Sequence, residues 1–175
     1  MQRYQLEHAL RAAREITGES EFIVVGSSAL LGPYPDAPAE LTASLEVDLY
    51  PRLNPASAEK LNAIGELSPF HQTHGFWIDP VGPETATVPT GWETRLIPVR
   101  NANTNQATGW CLEVHDLAIS KLVAGREKDL EYIRCLLRHR LVQAATLEGR
   151  FRATTLPPEQ TVLTNARLGR LLKLN

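Results

Sequence analysis

Apolar residues recur at the spacing of one helix face near the start of the chain. Tyr4, Leu6, Ala9, Leu10, Ala13 and Ile16 fall on one side of a helix predicted over 3-16, and Gly18 is placed to stop it. The continuously apolar run Phe22-Ile23-Val24-Val25 follows and reads as a short strand buried on both faces, as a central strand would be. Gly26-Ser27-Ser28-Ala29-Leu30-Leu31 then turns into a short helix, interrupted by a loop over 32-38 that three prolines keep extended. From Ser44 to Tyr50 the pattern alternates, with Leu45, Val47 and Leu49 on one face and Glu46, Asp48 and Tyr50 on the other.

Residues 55-67 predict a helix with Ala58, Leu61, Ile64 and Leu67 on its apolar side. Phe76-Trp77-Ile78-Asp79 is a third strand, closed by Pro80 and Gly82. Arg95 to Val99 and Gly109 to Val114 pair as an antiparallel hairpin across the polar loop Asn101 to Gln106. Asp116 is expected to cap a helix ending near Ala124, and Gly125 breaks it from a second helix over 126-140. A final helix is expected within 157-173. The order α-β-α-β-α-β followed by helix predicts an α/β (α+β) fold: a small mixed-sheet lobe over 1-114 and a helical C-terminal lobe over 115-175, packed as one compact unit.

Composition narrows the setting. A chain of 175 residues with 43% hydrophobic content can bury one substantial core. No apolar run reaches the roughly 18 residues of a membrane helix, and the amphipathic N-terminus lacks a signal-peptide pattern, so no membrane partner and a cytoplasmic location are expected. Cys111 and Cys135 sit among apolar neighbours without metal-ligand spacing and read as buried thiols. His71, His74, His115 and His139 likewise lack zinc spacing. Net charge is -2, but it is divided: residues 1-119 carry 7 Lys/Arg against 15 Asp/Glu, and residues 120-175 carry 11 against 5.

Two elements carry chemistry. The alternation places the Glu46 and Asp48 carboxylates on one face, about 7 Å apart along the strand, where hard oxygen donors can share divalent cations. The Gly26-Ser27 turn brings backbone and a hydroxyl to an anion at a strand-to-helix junction. Each is common alone: half-exposed strands place polar groups outward, and Gly-Ser is often only a cap. A phosphate cradle followed by a carboxylate strand is what nucleotidyl transfer requires.

Val25-Gly26-Ser27 followed by Leu45-Glu46-Val47-Asp48-Leu49 resembles the hG[GS]...[DE]h[DE]h signature of the DNA polymerase beta-like nucleotidyltransferase superfamily, which includes minimal nucleotidyltransferases and AbiE-type and MenT-type toxins. The stretch from His115 to Asp129 is similar to the helical motif of the AbiE-like branch, in which a lysine is followed by an arginine and an aspartate. The match spans roughly residues 22-137. It departs from the family in the longer gap between Ser27 and Glu46, and in Glu46 where Asp is commoner.

The resemblance implies that Glu46 and Asp48 hold magnesium or manganese, and that Gly26 and Ser27 position the phosphates of a nucleoside triphosphate. Lys121 would lie near those phosphates with Arg126 assisting, while Asp129 orients the helices. A third carboxylate from the next strand would serve as metal ligand and general base; Asp79 is the choice, against a plain Asp-Pro turn, with Glu93 and Glu113 in reserve. The acceptor is a hydroxyl. A polyanion such as tRNA would suit the basic residues Arg134, Arg138, Arg140, Arg150, Arg152, Arg167, Arg170 and Lys173, with an antitoxin protein as a possible partner. A drug or protein acceptor, and a non-catalytic module binding nucleotide, nucleic acid or protein, are the alternatives.

Overall fold

The structure is a computed structural model that describes residues 1-173. It is a mixed α/β fold, and the chain divides into two compact units. The first comprises Met1–Thr85 and Leu96–Leu112; the second comprises Ala86–Arg95 and residues 113-173.

In the first unit, helix α1 (Arg3–Thr17) buries Leu6, Ala9, Leu10 and Ala13, and Gly18 ends it in the left-handed conformation. Strands β1 (Glu21–Val24), β2 (Glu46–Pro51), β3 (Trp77–Pro80), β4 (Ile97–Val99) and β5 (Thr108–Cys111) form one sheet in the order β3-β2-β1-β5-β4. The apolar run Phe22-Ile23-Val24 thus lies at the centre, fully covered, as its unbroken hydrophobicity implies. β1 runs antiparallel to β2 and parallel to β5, β2 runs parallel to β3, and β4 closes the other edge antiparallel to β5. Pro80 and Pro98 both fall on edge strands, where a missing N–H does least harm to the ladder.

The connection between β2 and β3 departs from the predicted helix over 55-67. Pro55–Ile64 forms successive 3-10 turns that bury Ala58, Leu61 and Ile64, after which Gly65 leaves the helix. Leu67 has φ 64° and an exposed side chain, so it does not extend the apolar face. Helix α2 (Pro69–His74), capped by the Ser68 hydroxyl, follows it and lacks the apolar periodicity that would announce a helix.

The second unit holds helices α3 (Val114–Ala124), α4 (Glu127–Arg138), α5 (Ala144–Arg152) and α6 (Pro158–Lys173). Two expectations need correction. Asp116 is not the cap of α3; Glu113 is, its carboxylate accepting the His115 N–H, and Asp116 lies inside the first turn, fully buried. Arg95 is not on a strand but in the 3-10 turn Trp92–Arg95, because its guanidinium is drawn onto Asp116 by two hydrogen bonds of 2.8 and 3.1 Å. Among the described residues, no helix is long and apolar enough to cross a membrane.

Candidate active site

The Gly26 turn and β2 meet at close range. The Val25 N–H donates to the Asp48 carbonyl at 2.9 Å, which ties the end of β1 to the middle of β2. Gly26 then takes φ 62°, a conformation that a side chain strains, and a Cβ built there would stand 1.8 Å from Asp48 Oδ2. Glycine is required at this position on both counts. Ser27 opens the 3-10 helix Ser27–Leu31, and Ser28 behind it is buried. The Ser28 hydroxyl makes no hydrogen bond among the described residues, an unusual state for a buried polar group.

Beyond β2 lies β3, paired in parallel with Asp48 opposite Asp79 and Glu46 opposite Trp77. Register partners in a sheet point to the same face, and residues two apart on a strand do so too. Glu46, Asp48, Trp77 and Asp79 therefore share one face, with neighbouring strands about 4.8 Å apart. Burial raises the Asp79 carboxyl above its ordinary range, and the charges of Glu46 and Glu66 push it the same way. A cleft of about 520 Å³ borders this edge, lined by Glu46, Glu66, Trp77 and Asp79 together with Asn62 and Gly65.

The chemistry of these donors suits a hard divalent cation. Register places Glu46, Asp48 and Asp79 on one face, and carboxylates are the donors such a cation takes; burial and then the charges of Glu46 and Glu66 act on Asp79. Glu66 stands beside this set, on the cleft wall, and escaped the sequence reading because it lies in a turn with no periodic pattern. The close approach of Gly65 to the Ile78 carbonyl, 3.6 Å from an ideal Cβ, seats that turn against β3.

The remaining candidates lie in the helical unit. Lys121 Nζ is 3.4 Å from Asp129 Oδ1 and 4.4 Å from the centre of the Tyr132 ring. Arg126 donates to the same Asp129 carboxylate at 2.6 and 3.3 Å. Asp129 is thus buried between two cations. Burial alone would raise its pKa, but the Arg126 hydrogen bond and the charges of Lys121 and Arg126 hold it below the ordinary carboxylate range.

The two reserve carboxylates have other surroundings. Glu113 caps α3 and contacts His115 Nδ1 at 2.7 Å, while His115 Nε2 accepts the Gln143 N–H at 3.1 Å. That second bond assigns the ring proton of neutral His115 to Nδ1, where it meets Glu113. Glu93 is exposed on the turn that carries Arg95.

Several of the basic residues are engaged within this unit. Arg150 faces Asp116 at 3.2 Å, Arg134 and Arg138 meet Glu131, and Arg167 donates to the carbonyls of Leu122 and Val123. Arg140, Arg152, Arg170 and Lys173 are exposed.

A mixed sheet whose central strand ends in Gly-Ser against a carboxylate-bearing neighbour is the frame of a nucleotidyltransferase-like protein. The chain belongs to the family described as nucleotidyltransferase of unknown function (DUF6036), whose model matches residues 4-156. A nucleotide substrate follows from that membership at the level of the class. No curated protein and no solved structure matches the chain.

Proposed function

We propose that the protein transfers a nucleotidyl group from a nucleoside triphosphate to an acceptor hydroxyl, with magnesium or manganese bound by Glu46, Asp48 and Asp79. The observation that carries this reading is the pairing of Asp48 with Asp79 across β2 and β3 while Gly26 gives way to the Asp48 carboxylate. The cation, when bound, supplies positive charge to the triphosphate and to the oxygen that departs. Gly26 and Ser27 receive the phosphates where the backbone can approach them most closely. Asp79, on the edge strand, accepts the proton of the acceptor hydroxyl. The acceptor oxygen then bonds to the α-phosphorus as the bond from that phosphorus to its bridging oxygen breaks, and pyrophosphate leaves with the electron pair.

The AbiE/MenT-like branch is supported by Lys121, Arg126 and Asp129, which form one ion cluster. The branch assigns Lys121 and Arg126 to nucleotide phosphates, and Asp129 fixes both side chains. With that branch would come a tRNA acceptor and an antitoxin partner, for which exposed Arg140, Arg152, Arg170 and Lys173 are the available contacts.

Incubation with labelled triphosphates, magnesium and total RNA or protein tests the activity. Transfer that Asp48→Ala abolishes is the expected result. Nucleotide binding with no transfer to any acceptor would instead identify a non-catalytic binding module.

A further inference from the structure

Four residues form a row across the site. Gly26 lies against Asp48, Asp48 is paired with Asp79 on the edge strand, and Glu66 acts on Asp79 from the turn beside it. The phosphate turn and Glu66 are therefore at opposite ends of the row. The cleft lies at the Glu66 end, where Asn62 and Trp77 complete its wall.

The lining fixes what this end can accept. Trp77 is held by the His71 ring, 4.5 Å away, and His71 Nδ1 accepts the Leu67 N–H at 3.0 Å, so the indole has a set position. An indole wall beside a carboxylate attracts an ammonium group through both the ring face and the ion pair. A phosphate entering the same space would meet Glu46, Glu66 and Asp79. Glu66 is exposed and has no part in the three-carboxylate set, so its charge remains for the incoming molecule.

Resting on the nucleotidyl-transfer reading, and in place of the tRNA acceptor of the AbiE/MenT-like branch, we propose that this cleft is the acceptor subsite and takes a hydroxyl compound carrying a protonated amine. Glu66 pairs with the ammonium, Trp77 packs over it, and the hydroxyl is thereby placed at Asp79. Glu66 and Trp77 are the specificity-determining residues of the acceptor end.

A matched pair of probes tests this: a glucosamine trisaccharide, which carries hydroxyls and ammonium groups, and its N-acetylated counterpart, which keeps hydroxyls but loses the charge. Calorimetric titration is done on the full chain with magnesium and a non-hydrolysable ATP analogue. The charged trisaccharide is expected to bind about tenfold more tightly. Glu66→Gln should remove that preference, Trp77→Phe should keep most of it and Trp77→Leu should weaken it, all with the affinity for the analogue unchanged. Equal binding of the two trisaccharides, or a Glu66→Gln effect on the analogue instead, overturns the acceptor assignment, as does efficient labelling of RNA by the wild-type chain. Failure of the wild-type chain to bind the analogue at all would strike the nucleotidyl-transfer reading itself.

Discussion

Gly26 and Asp48 compete for one place: an ideal Cβ on Gly26 would lie 1.8 Å from Asp48 Oδ2 and 2.7 Å from its carboxyl carbon. The turn and the carboxylate are thus positioned by one another, although they lie 22 residues apart in the chain.

Gly26→Ala should therefore act on chemistry more than on folding. The methyl group displaces the Asp48 carboxylate and strains a left-handed backbone, for a stability loss of roughly 1–2 kcal/mol. Transfer should fall on the order of a hundredfold, since a misplacement of about 1 Å has that effect. Wild-type rates with a normal Tm would remove the Gly26–Asp48 contact from the mechanism.

Asp79 predicts a magnesium-dependent reversal. Its folded pKa is raised, so its contribution to stability is present below the unfolded value near 3.8 and is lost as pH rises through the higher folded value. At pH 7 without a cation the charged carboxyl is unfavourable, and Asp79→Asn is expected to melt higher than wild type in chelator. Adding magnesium should raise the Tm of wild type more than that of the variant. An equal magnesium response in the two proteins would count against Asp79 as a ligand.

Asp129 predicts the opposite sign. Its pKa is depressed, so its stabilising effect is present above the unfolded value of 3.8 and disappears as pH falls through the folded one. Asp129→Asn should be less stable than wild type by roughly 1–3 kcal/mol at neutral pH. Denaturation curves taken stepwise into the range below about pH 4 should show that gap closing. A gap independent of pH would rule out the ion cluster as its source.

Arg167 predicts a separation between stability and nucleic-acid affinity. It donates to Leu122 and Val123 carbonyls at 3.2 and 3.0 Å, and its guanidinium carbon stands 2.0 Å from an ideal Cβ on Gly125. Arg167→Ala is expected to lower stability by about 1 kcal/mol through loss of hydrogen bonds at the end of α3. It should leave the salt dependence of any RNA binding unchanged, whereas Arg152→Ala with Arg170→Ala should reduce it. A reduced slope in the Arg167 variant would show that it meets phosphate after all.

What the sequence displayed was whatever depends on repeating patterns. Phe22 to Val24 announced a central strand by being apolar without interruption, and alternation at Glu46 to Leu49 puts the two carboxylates on one face. Gly18 and Gly125 marked helix ends because both need a left-handed backbone. The misses came where a side chain chose a distant partner. Asp116 looked like a cap until Arg95 and Arg150 drew it inward, and Arg95 left its expected strand for the same reason. Glu66 was illegible because its neighbours Gly65 and Leu67 form an irregular turn, and only the register of β3 shows that the turn stands beside Asp79.

The position of β3 at the rim of the sheet has an evolutionary consequence. Interior strands such as β1 and β2 are laced on both sides, so a change near Gly26 or Asp48 disturbs two ladders, while β3 leans on one neighbour only. A substitution on β3 away from Asp79 and Trp77 therefore disturbs one ladder only, so the rim can change at less cost to the sheet than its interior strands.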